Sequence, residues 1–372
     1  MRVAVWVGLS DKKCLEHLQG LDECNLVSKG LLFRRFPIDG LQKFRQICPP
    51  RLLQRSYILS HIYAFFASVI SCITFHPDVC IAISMLPHSV MAKIAQCLTG
   101  SKFVNWLIGT DMYVEIHRGW IGKKLLLPMV RSAASTLCMG QYSKSVLLSF
   151  GWNEKRVIVG RNAYDLSDFY ALSPQERWDK GKWDVIFIGR LDRYHKRVDL
   201  LLNAVAEIKQ QRSNVSLAIV GDGPDYKRLK QLSRFLDIEA NVFFLGHRSD
   251  IPRLLNESRI FAMTSSWEGL PSSIVEAVVC GLPVITSNVG DVADIVEDSS
   301  NGLLIESDHP EDYAKAIIRV LNDRMFYESM SHKALQVGES IKQAIHCGDS
   351  AKQWESALRK CNCSRHNSVV IC

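Results

Sequence analysis

The chain has 372 residues, 47% of them hydrophobic, and a mean hydropathy of +0.02, which together indicate a soluble globular protein large enough for two domains. Its net charge of +7 is uneven, because residues 1–165 hold 20 Lys and Arg against 10 Asp and Glu. A basic first half can attract an anionic acceptor, an acidic membrane surface or nucleic acid. Nucleic acid is the least favoured, since the sequence has no zinc finger, RNP-like aromatic pattern or arginine-rich arm.

The cysteine pattern indicates a reducing compartment. The twelve cysteines form no CxxC pairs with zinc or redox spacing, and the first residues, Met1–Gly8, have the pattern of a strand rather than of a signal peptide. We therefore expect free thiols and a cytoplasmic protein, either soluble or peripheral at the inner face of the membrane. For Cys361, Cys363 and Cys372 a functionally silent end is favoured over a lipidation or metal site.

Short apolar runs alternate with helical patterns along the chain, which is typical of parallel sheets covered on both faces. In the first half the predicted strands are Arg2–Val7, Val79–Ser84, Phe103–Ile108, Thr136–Cys138 and Arg156–Val159. In the second half they are Asp184–Ile188, Ser216–Val220, Val242–Leu245, Ile260–Met263 and Val284–Thr286. The sequence thus predicts an α/β protein with two Rossmann-like domains, a cleft between them, and ligands bound beyond the carboxyl ends of the strands.

The longest apolar stretch, Ile62–Phe75, follows the basic residues Arg51 and Arg55. It has fourteen residues, fewer than the roughly twenty that a bilayer-spanning helix needs. A buried core helix is the favoured interpretation, and a helix that contacts a membrane surface is the alternative.

Residues 165–183 lack a strand pattern and contain Ser, Pro and Gly, so they are predicted to connect the two domains. The predicted divisions are an N-terminal Rossmann-like domain at 1–165, a connection at 166–183, a C-terminal Rossmann-like domain at 184–345 and a helical tail at 346–372. In the tail, Gln353, Trp354 and Leu358 could contact the first domain, and packing on the second domain is equally open.

Two carboxylates, Glu268 and Glu276, flank the start of a short predicted helix with seven residues between them. Pro271 suits the first turn, and Ser272 and Ser273 can bond its open backbone N–H groups. The helix N-terminus favours a phosphate, while Glu276, about one turn in, can accept hydrogen bonds from hydroxyls. A ligand with both phosphates and hydroxyls fits, although an exposed acidic face is the simpler interpretation of a lone Glu pair.

Positive charges follow the first strand of the second domain. Gly189 lets the backbone turn at the strand end, and Arg190 and Lys196 can present two cations to a diphosphate. The next strand ends in Gly221-Asp222-Gly223-Pro224, which lacks the third glycine of a dinucleotide fingerprint. A structural turn and a direct ligand contact are equally open there.

Several motifs occur together in order: Gly-Arg-Leu at 189–191 with Lys196, Glu-Gly-Leu-Pro at 268–271, Glu-Ala at 276–277, and Gly-Leu-Pro-Val-Ile-Thr at 281–286. They resemble the C-terminal signature of the retaining, nucleotide-sugar-dependent glycosyltransferases of family 4, which have the GT-B fold. The resemblance spans residues 100–345, is specific in 184–305 and is weak before residue 100. It implies a GT-B protein whose two Rossmann-like domains face each other across a cleft. The first, 1–165, would be the acceptor domain and the second, 184–345, the nucleotide-sugar donor domain.

The resemblance also implies roles for the two carboxylates and for the loop between them. Glu268 would face the donor hexose as a catalytic residue, and Glu276 would hold the ribose hydroxyls. Backbone contacts to sugar and phosphate would come from Gly269, Leu270, Pro271 and Ser272.

The same resemblance gives roles to the loops after two further strands. Arg190 and Lys196, with Gly189 beside them, would hold the donor pyrophosphate and stabilise the charge that builds up as the glycosidic bond breaks. His247 and Arg248 would lie along the nucleotide base through their backbone. The alternative is that their side chains contact only water.

The first half resembles the family less closely. A single glycine, Gly8, stands where the family has a glycine-rich loop, and Ile108 stands where many relatives have His. Gly109-Thr110-Asp111 is similar to a segment near the acceptor, so Asp111 would hydrogen-bond the acceptor hydroxyl or an ordered water, or cap the next helix. His117 does not match the motif and is expected to be structural.

The reaction implied by the resemblance is transfer of a hexose or related sugar from a nucleoside diphosphate donor to a hydroxyl of a saccharide or lipid-linked acceptor, with retention. It needs no metal and no cofactor, and it suggests polysaccharide or glycolipid synthesis. An epimerase or a phosphorylase of the same fold is a rival enzyme. A non-catalytic nucleotide-sugar binding protein is the rival from another class, and Gly8 and Ile108 are the features that suggest it.

Overall fold

In this computed structural model the described residues are 1–84, 86–109, 124, 127–346 and 348–363. The chain divides into two compact units, one formed by Met1–Tyr164 with Ile345–Cys372 and the other by Asp165–Ala344. Each unit contains one sheet whose paired strands are all parallel, with helices between successive strands. The predicted α/β class with two Rossmann-like sheets is confirmed.

The first unit is built around a seven-stranded sheet. Its strands are β1 (Arg2–Val7), β2 (Lys29–Phe33), β3 (Phe44–Ile47), β4 (Val79–Ile83), β5 (Lys102–Trp106), β6 (Ser135–Cys138) and β7 (Val157–Val159). Its described helices up to residue 164 are α1 (Asp11–Glu23), α2 (Arg51–Gln54), α3 (Tyr57–Phe75), α4 (His88–Thr99), α5 (Leu127–Arg131) and α6 (Gln141–Ser149). The strand order is β3-β2-β1-β4-β5-β6-β7, and Val3 to Trp6 at its centre are fully buried.

The second unit is built around a six-stranded sheet. Its strands are β8 (Trp183–Ile188), β9 (Leu217–Val220), β10 (Val242–Gly246), β11 (Ser258–Met263), β12 (Val284–Ser287) and β13 (Gly302–Ile305). Its described helices are α7 (Pro174–Lys180), α8 (Val198–Gln211), α9 (Tyr226–Phe235), α10 (Ile251–Asn256), α11 (Ser272–Val279), α12 (Pro310–Asn322) and α13 (Arg324–His346). The strand order β10-β9-β8-β11-β12-β13 reverses direction between β8 and β11, which is where ligands bind in such sheets.

The last described helix, α14 (Asp349–Cys363), belongs to the first unit. Trp354 is fully buried there, its indole N–H donates to the carbonyl of His17 at 3.2 Å, and its ring meets that of Trp106 edge to face at 5.2 Å. The side-chain oxygen of Gln353 accepts from the backbone N–H of Arg161 at 2.7 Å. The closing helix therefore completes the core of the first unit.

Residues 165–183, predicted as a connection, belong to the second unit and contain α7. Ser173 and Glu176 form a reciprocal capping box that starts this helix. Arg177 is fully buried and donates to the carbonyl of Gly281 at 2.9 Å. A cap and a buried guanidinium thus hold this segment on the second unit.

Strands β2, β3 and β13 have no counterpart in the sequence-based assignment. Two of them contain glycines, which disfavour strands by propensity but are required here by close packing. A Cβ on Gly30 would lie 2.4 Å from the ring of Phe44, and a Cβ on Gly302 would lie 2.4 Å from the carbonyl oxygen of Val284. Strand β3 is an edge strand, and its sequence Phe-Arg-Gln-Ile gives only a short apolar signal.

The prediction of a buried core helix for the long apolar stretch is wrong. Helix α3 is longer than that stretch, and only Ser60, Ser68 and Cys72 on it are buried. Most of its large apolar residues face outward, with Ile58 70% exposed and Ile70 64% exposed. Among the described residues it is the one helix long and apolar enough to cross a membrane, judged by length and composition.

Candidate functional site

Two loops meet at the carboxyl edge of the second sheet because β8 and β11 are neighbours there. The first loop, residues 189–197, follows β8, and the second, residues 264–271, follows β11. Between them they contain most of the residues to which the sequence assigned a donor-binding role. The candidate site is built from these loops and from the start of α11.

Asp192 shapes the first loop. Its side-chain oxygen Oδ1 accepts from the backbone N–H groups of Tyr194 and His195 at 3.0 and 3.2 Å. Its carbonyl oxygen accepts from the backbone N–H of Lys196 at 2.9 Å. This turn presents His195 and Lys196 side by side toward the second loop.

Hydrogen bonds tie the two loops together. The backbone N–H of Ser266 donates to the carbonyl of His195 at 2.8 Å. The hydroxyl of Thr264 donates to the carbonyls of Lys196 and Arg197, at 3.2 and 2.8 Å. The cationic loop is therefore fixed relative to the loop that carries Glu268, a requirement for a preorganised site.

Lys196 and Glu268 form a buried ion pair, with Nζ 2.5 Å from Oε1. Their side chains are 12% and 8% exposed. Burial alone would raise the pKa of the Glu268 carboxyl, but the Lys196 ammonium and His195 outweigh it and lower that pKa to about 2. Glu268 is therefore ionised at neutral pH.

His195 is a site residue to which the sequence analysis assigned no role. Its Nε2 lies 3.3 Å from Oε1 of Glu268, a close electrostatic contact that is not aligned as a hydrogen bond. Its ring stacks on Trp267 with 5.2 Å between ring centres and 5° between planes. The available signal was position, because His195 directly precedes Lys196 and Trp267 directly precedes Glu268.

Gly290 supports the backbone of the Glu268 loop. It has φ of +60°, and a Cβ there would lie 2.1 Å from the carbonyl oxygen of Glu268. The next residue, Asp291, donates its backbone N–H to the carbonyl of Gly269 at 3.0 Å. The left-handed turn and the close approach both require glycine at position 290.

Helix α11 begins without a side-chain cap, so the predicted capping by Ser272 and Ser273 is wrong. Pro271 is the N-cap residue, and its carbonyl accepts from the backbone N–H of Ile274 at 3.1 Å. Proline has no side-chain oxygen, so the N-cap residue makes no side-chain hydrogen bond to the first turn. Glu276 lies one turn into this helix and is 7% exposed.

The other predicted donor residues lie in exposed loops. Arg190 is exposed, and no described residue pairs with its guanidinium. His247 is exposed too, and Arg248 forms a two-bond ion pair with Asp250 at 2.8 and 2.8 Å. The structure thus brings Lys196 and Glu268 together, whereas Arg190, His247 and Arg248 make no described contact with that pair.

Gly221 and Gly223 pack against the first loop. A Cβ on Gly221, which has φ of +132°, would lie 2.0 Å from the carbonyl oxygen of Gly189. A Cβ on Gly223 would lie 2.3 Å from the carbonyl oxygen of Leu191. Close packing against the first loop therefore explains both glycines. A ligand contact at this turn stays a prediction.

Residues 168–337 match the family model for Glycosyl transferases group 1. The chain carries a group 1 glycosyltransferase domain. The chain is 26% identical over 283 residues to N-acetyl-alpha-D-glucosaminyl L-malate synthase of Bacillus anthracis, and the alignment covers 73% of this chain and 71% of that protein. Over 108 residues it is 36% identical to UDP-Gal:alpha-D-GlcNAc-diphosphoundecaprenol alpha-1,3-galactosyltransferase of Escherichia coli. This alignment covers 29% of this chain and 28% of that protein.

Solved structures with a similar fold cover nearly the whole chain. HepE of Anabaena in complex with UDP has a TM-score of 0.76 at 21% identity and covers 96% of this chain and 100% of that chain. Sucrose-phosphate synthase of Thermosynechococcus elongatus has a TM-score of 0.76 at 16% identity and covers 98% and 99%. At such identities the likeness establishes the fold, which is the predicted GT-B class.

In the first unit, Gly8 follows the end of β1 and lies against a histidine. A Cβ on Gly8 would lie 2.5 Å from Cε1 of His88, whose Nδ1 is 3.3 Å from the hydroxyl of Ser84. Burial, and then the nearby His61, lowers the pKa of His88 to about 4. Asp111, to which an acceptor role was assigned, lies outside the described residues.

Metal ligation was not expected at this site. Within residues 1–84, 86–109, 124, 127–346 and 348–363, no three His, Cys, Asp or Glu side chains are grouped so that they could hold a metal ion. His117 and Thr110 lie outside these ranges, as Asp111 does.

Proposed function

We propose that this glycosyltransferase moves a hexose or related sugar from a nucleoside diphosphate donor to a hydroxyl of a saccharide or lipid-linked acceptor, with retention at the anomeric carbon. The observation that carries the proposal is the buried Lys196–Glu268 ion pair between the loops after β8 and β11, inside the group 1 domain. A cation and a carboxylate that accepts hydrogen bonds from hydroxyls lie at one edge of the sheet. Together they suit a ligand that has a diphosphate next to a sugar.

The charge states divide the work between the two residues. Glu268, with a pKa lowered to about 2, accepts hydrogen bonds from sugar hydroxyls at neutral pH and has no proton to give as a general acid. Lys196 supplies a fixed positive charge for the diphosphate, which gains negative charge as the glycosidic bond breaks. Because the ion pair already orients the ammonium, little reorganisation is needed when the donor binds.

The leaving diphosphate itself is the proposed acceptor of the proton from the attacking hydroxyl. In this scheme acceptor and leaving group lie on the same face of the sugar, which gives retention without a separate protein base or a metal. Arg190, exposed beside Gly189, is the second cation proposed for the diphosphate. Glu276 on α11 is proposed to hold the ribose hydroxyls.

The relatives suggest which ligands to test first. The HepE structures from Anabaena contain UDP, UDP with glucose, or UDP-glucose, so UDP-sugars are the first proposed donors. The Escherichia coli relative is named for a diphosphoundecaprenol-linked acceptor, and the Bacillus anthracis relative is named for malate. We propose a saccharide or lipid-linked acceptor in polysaccharide or glycolipid synthesis, in the cytoplasm.

The test combines ligand binding with turnover. The full chain is screened against nucleoside diphosphates and their sugars by thermal shift, where a ligand at 100 times its Kd adds about 2.7 kcal/mol to stability. Sugar release from the bound donor is then measured with and without acceptor. The variant Lys196→Met is expected to lose at least about 100-fold in kcat/KM, as for loss of one preorganised charge contact. Lys333→Met, an exposed lysine on α13, is the matched control and keeps wild-type turnover.

Two outcomes would contradict the proposal. If a folded Lys196→Met variant had wild-type turnover, the Lys196 ammonium would not be needed for sugar transfer. Tight binding of a nucleoside diphosphate without sugar release, toward water or any acceptor, would favour the non-catalytic binding protein.

A further inference from the structure

Helix α3 exposes a continuous apolar face along its whole length. The outward positions follow the helical spacing of four, four, four and three residues, and they are Ile58, Ile62, Phe66, Ile70 and Ile73. Their exposed fractions are 70%, 49%, 60%, 64% and 48%. At 1.5 Å per residue this face is about 22 Å long. Exposed helices of globular proteins normally carry charged residues on this side, but α3 has none at all.

The opposite face of α3 is part of the first unit. Ser68 and Cys72 are fully buried, and Cys72 belongs to a core cluster against which Phe65 and Phe75 pack. The hydroxyl of Ser60 donates to the carbonyl of Leu53 at 2.8 Å. A helix that crossed a bilayer would have to give up these contacts. The helix is therefore suited to lie along a surface, with one face on the sheet and the other available to a partner.

Basic side chains lie at both ends of the helix. Arg51 and Arg55 are exposed just before it begins, and the Arg35 guanidinium lies 5.9 Å from the ring centre of Tyr57. At the other end, Arg2 and Lys29 lie over the ring of Phe75, at 6.0 and 5.8 Å from its centre. Positive charge thus lies at each end of the helix.

We propose that α3 docks the first unit on the surface of an anionic bilayer, with the helix in the plane of the membrane. Its apolar face enters the boundary between headgroups and acyl chains, and the basic residues at its ends contact the lipid phosphates. This proposal concerns the first unit alone and does not depend on the donor chemistry of the second.

Charge decides between a bilayer and a second copy of the chain. If two copies paired through this face, parallel or antiparallel, each basic end would meet another basic end, and like charges in contact oppose association. An anionic bilayer neutralises both ends at once. The excess of Lys and Arg in residues 1–165, 20 against 10 acidic residues, acts in the same direction.

The first experiment is flotation of the full chain with vesicles of phosphatidylcholine, with or without phosphatidylglycerol. The variant Ile62→Gln/Phe66→Gln/Ile70→Gln removes the middle of the apolar face, and its vesicle affinity is expected to fall at least about 100-fold. The matched control, Phe235→Gln/Met325→Gln, removes exposed apolar side chains of the second unit, 85% and 78% exposed, and is expected to bind as wild type does. All five side chains are exposed, and circular dichroism checks that both variants fold.

The second experiment tests the charges. Arg51→Glu/Arg55→Glu is expected to weaken binding to the vesicles with phosphatidylglycerol by about fivefold or more for each residue, and added salt should have a smaller effect on it than on wild type. Binding to phosphatidylcholine alone should not change. Loss of binding to both kinds of vesicle in equal measure would contradict the headgroup contacts.

Three results overturn the proposal. If the wild-type protein floats with neither kind of vesicle, α3 does not bind a membrane surface. A Gln variant that still floats as well as its control shows that another part of the chain binds lipid. Wild-type dimers that the Gln variant converts to monomers, without vesicle binding by either, assign the face to self-association.

Discussion

Replacing Lys196 with Met should leave Glu268 as a buried carboxylate without its cation. In the native protein the pKa of Glu268 lies at about 2 against a usual value of 4.5, which corresponds to about 3 kcal/mol of stabilisation at neutral pH. Burial opposes ionisation and remains in the variant, so we expect Lys196→Met to lower the free energy of unfolding at pH 7 by about 3 kcal/mol or more.

The pH dependence follows from the same shift. The contribution of Glu268 is present above pH 4.5 and is lost as pH falls from 4.5 toward 2, because the folded state holds the carboxylate more strongly than the unfolded chain does. In the variant, burial raises the pKa of this carboxyl, so the group can become protonated and neutral. The stability difference between wild type and variant should therefore shrink as the solution is made acidic.

The assay is urea unfolding at pH 7, followed by tryptophan fluorescence, for the four members of a double-mutant cycle. Lys196→Met/Glu268→Gln removes both charges and should recover most of the stability lost in Lys196→Met, while sugar transfer stays low because the diphosphate still lacks its cation. If Lys196→Met unfolds at the wild-type urea midpoint, or if the second substitution restores nothing, the two residues are not coupled and the reasoning fails.

Other expectations concern supporting positions. Gly290→Ala should weaken donor binding at least about tenfold, because the new Cβ displaces the loop that carries Glu268. Gly100→Ala is the control, since Gly100 has a similar positive φ and no atom lies within 4 Å of its Cβ, and it should leave binding unchanged. Equal donor binding by the two variants would contradict the clash at Gly290. Burial lowers the pKa of His17 to about 3 and of His88 to about 4, so both are neutral when folded and protonated when unfolded below pH 6.5. Stability should fall by about 3 kcal/mol between pH 6.5 and 5, and His17→Gln should halve this slope in urea unfolding; an unchanged slope would argue against a buried neutral His17. Trp354→Ala should cost about 3 to 5 kcal/mol, measured by urea unfolding, and a cost below 1 kcal/mol would contradict the burial of its ring.

The central strands and the Glu268 and Lys196 loops could be predicted because their signals are local. Strands β8 and β11 contain continuous apolar runs, at 185–188 and 260–263, and the residues after each strand end carry the charges. The position of α3 could not be predicted in this way. Its composition is apolar on all sides, so periodicity gives no information about which face meets the sheet, and the small buried residues Ser60 and Ser68 carry no hydrophobic signal.

Contacts between segments that are far apart in the sequence could not be predicted either. The pairing of Lys196 with Glu268 joins residues 72 positions apart, and the stacking of His195 on Trp267 depends on the same approach of two loops. Residue types at strand ends indicate where ligands bind, but they do not give the distances between side chains. The need for glycine at position 290 likewise arises from a carbonyl on another loop.

The place of α14 in the first unit affects how the protein is made. The first unit consists of two stretches of chain separated by the whole of the second unit, residues 165–344, which is itself continuous. During synthesis the second unit can complete its fold as soon as its own residues have emerged, but the first must wait for Trp354. Until then Trp106 and the backbone of His17 lack the partners they have in the finished protein. A fragment that ends at residue 164 should therefore aggregate when expressed alone, and adding the α14 segment should rescue it.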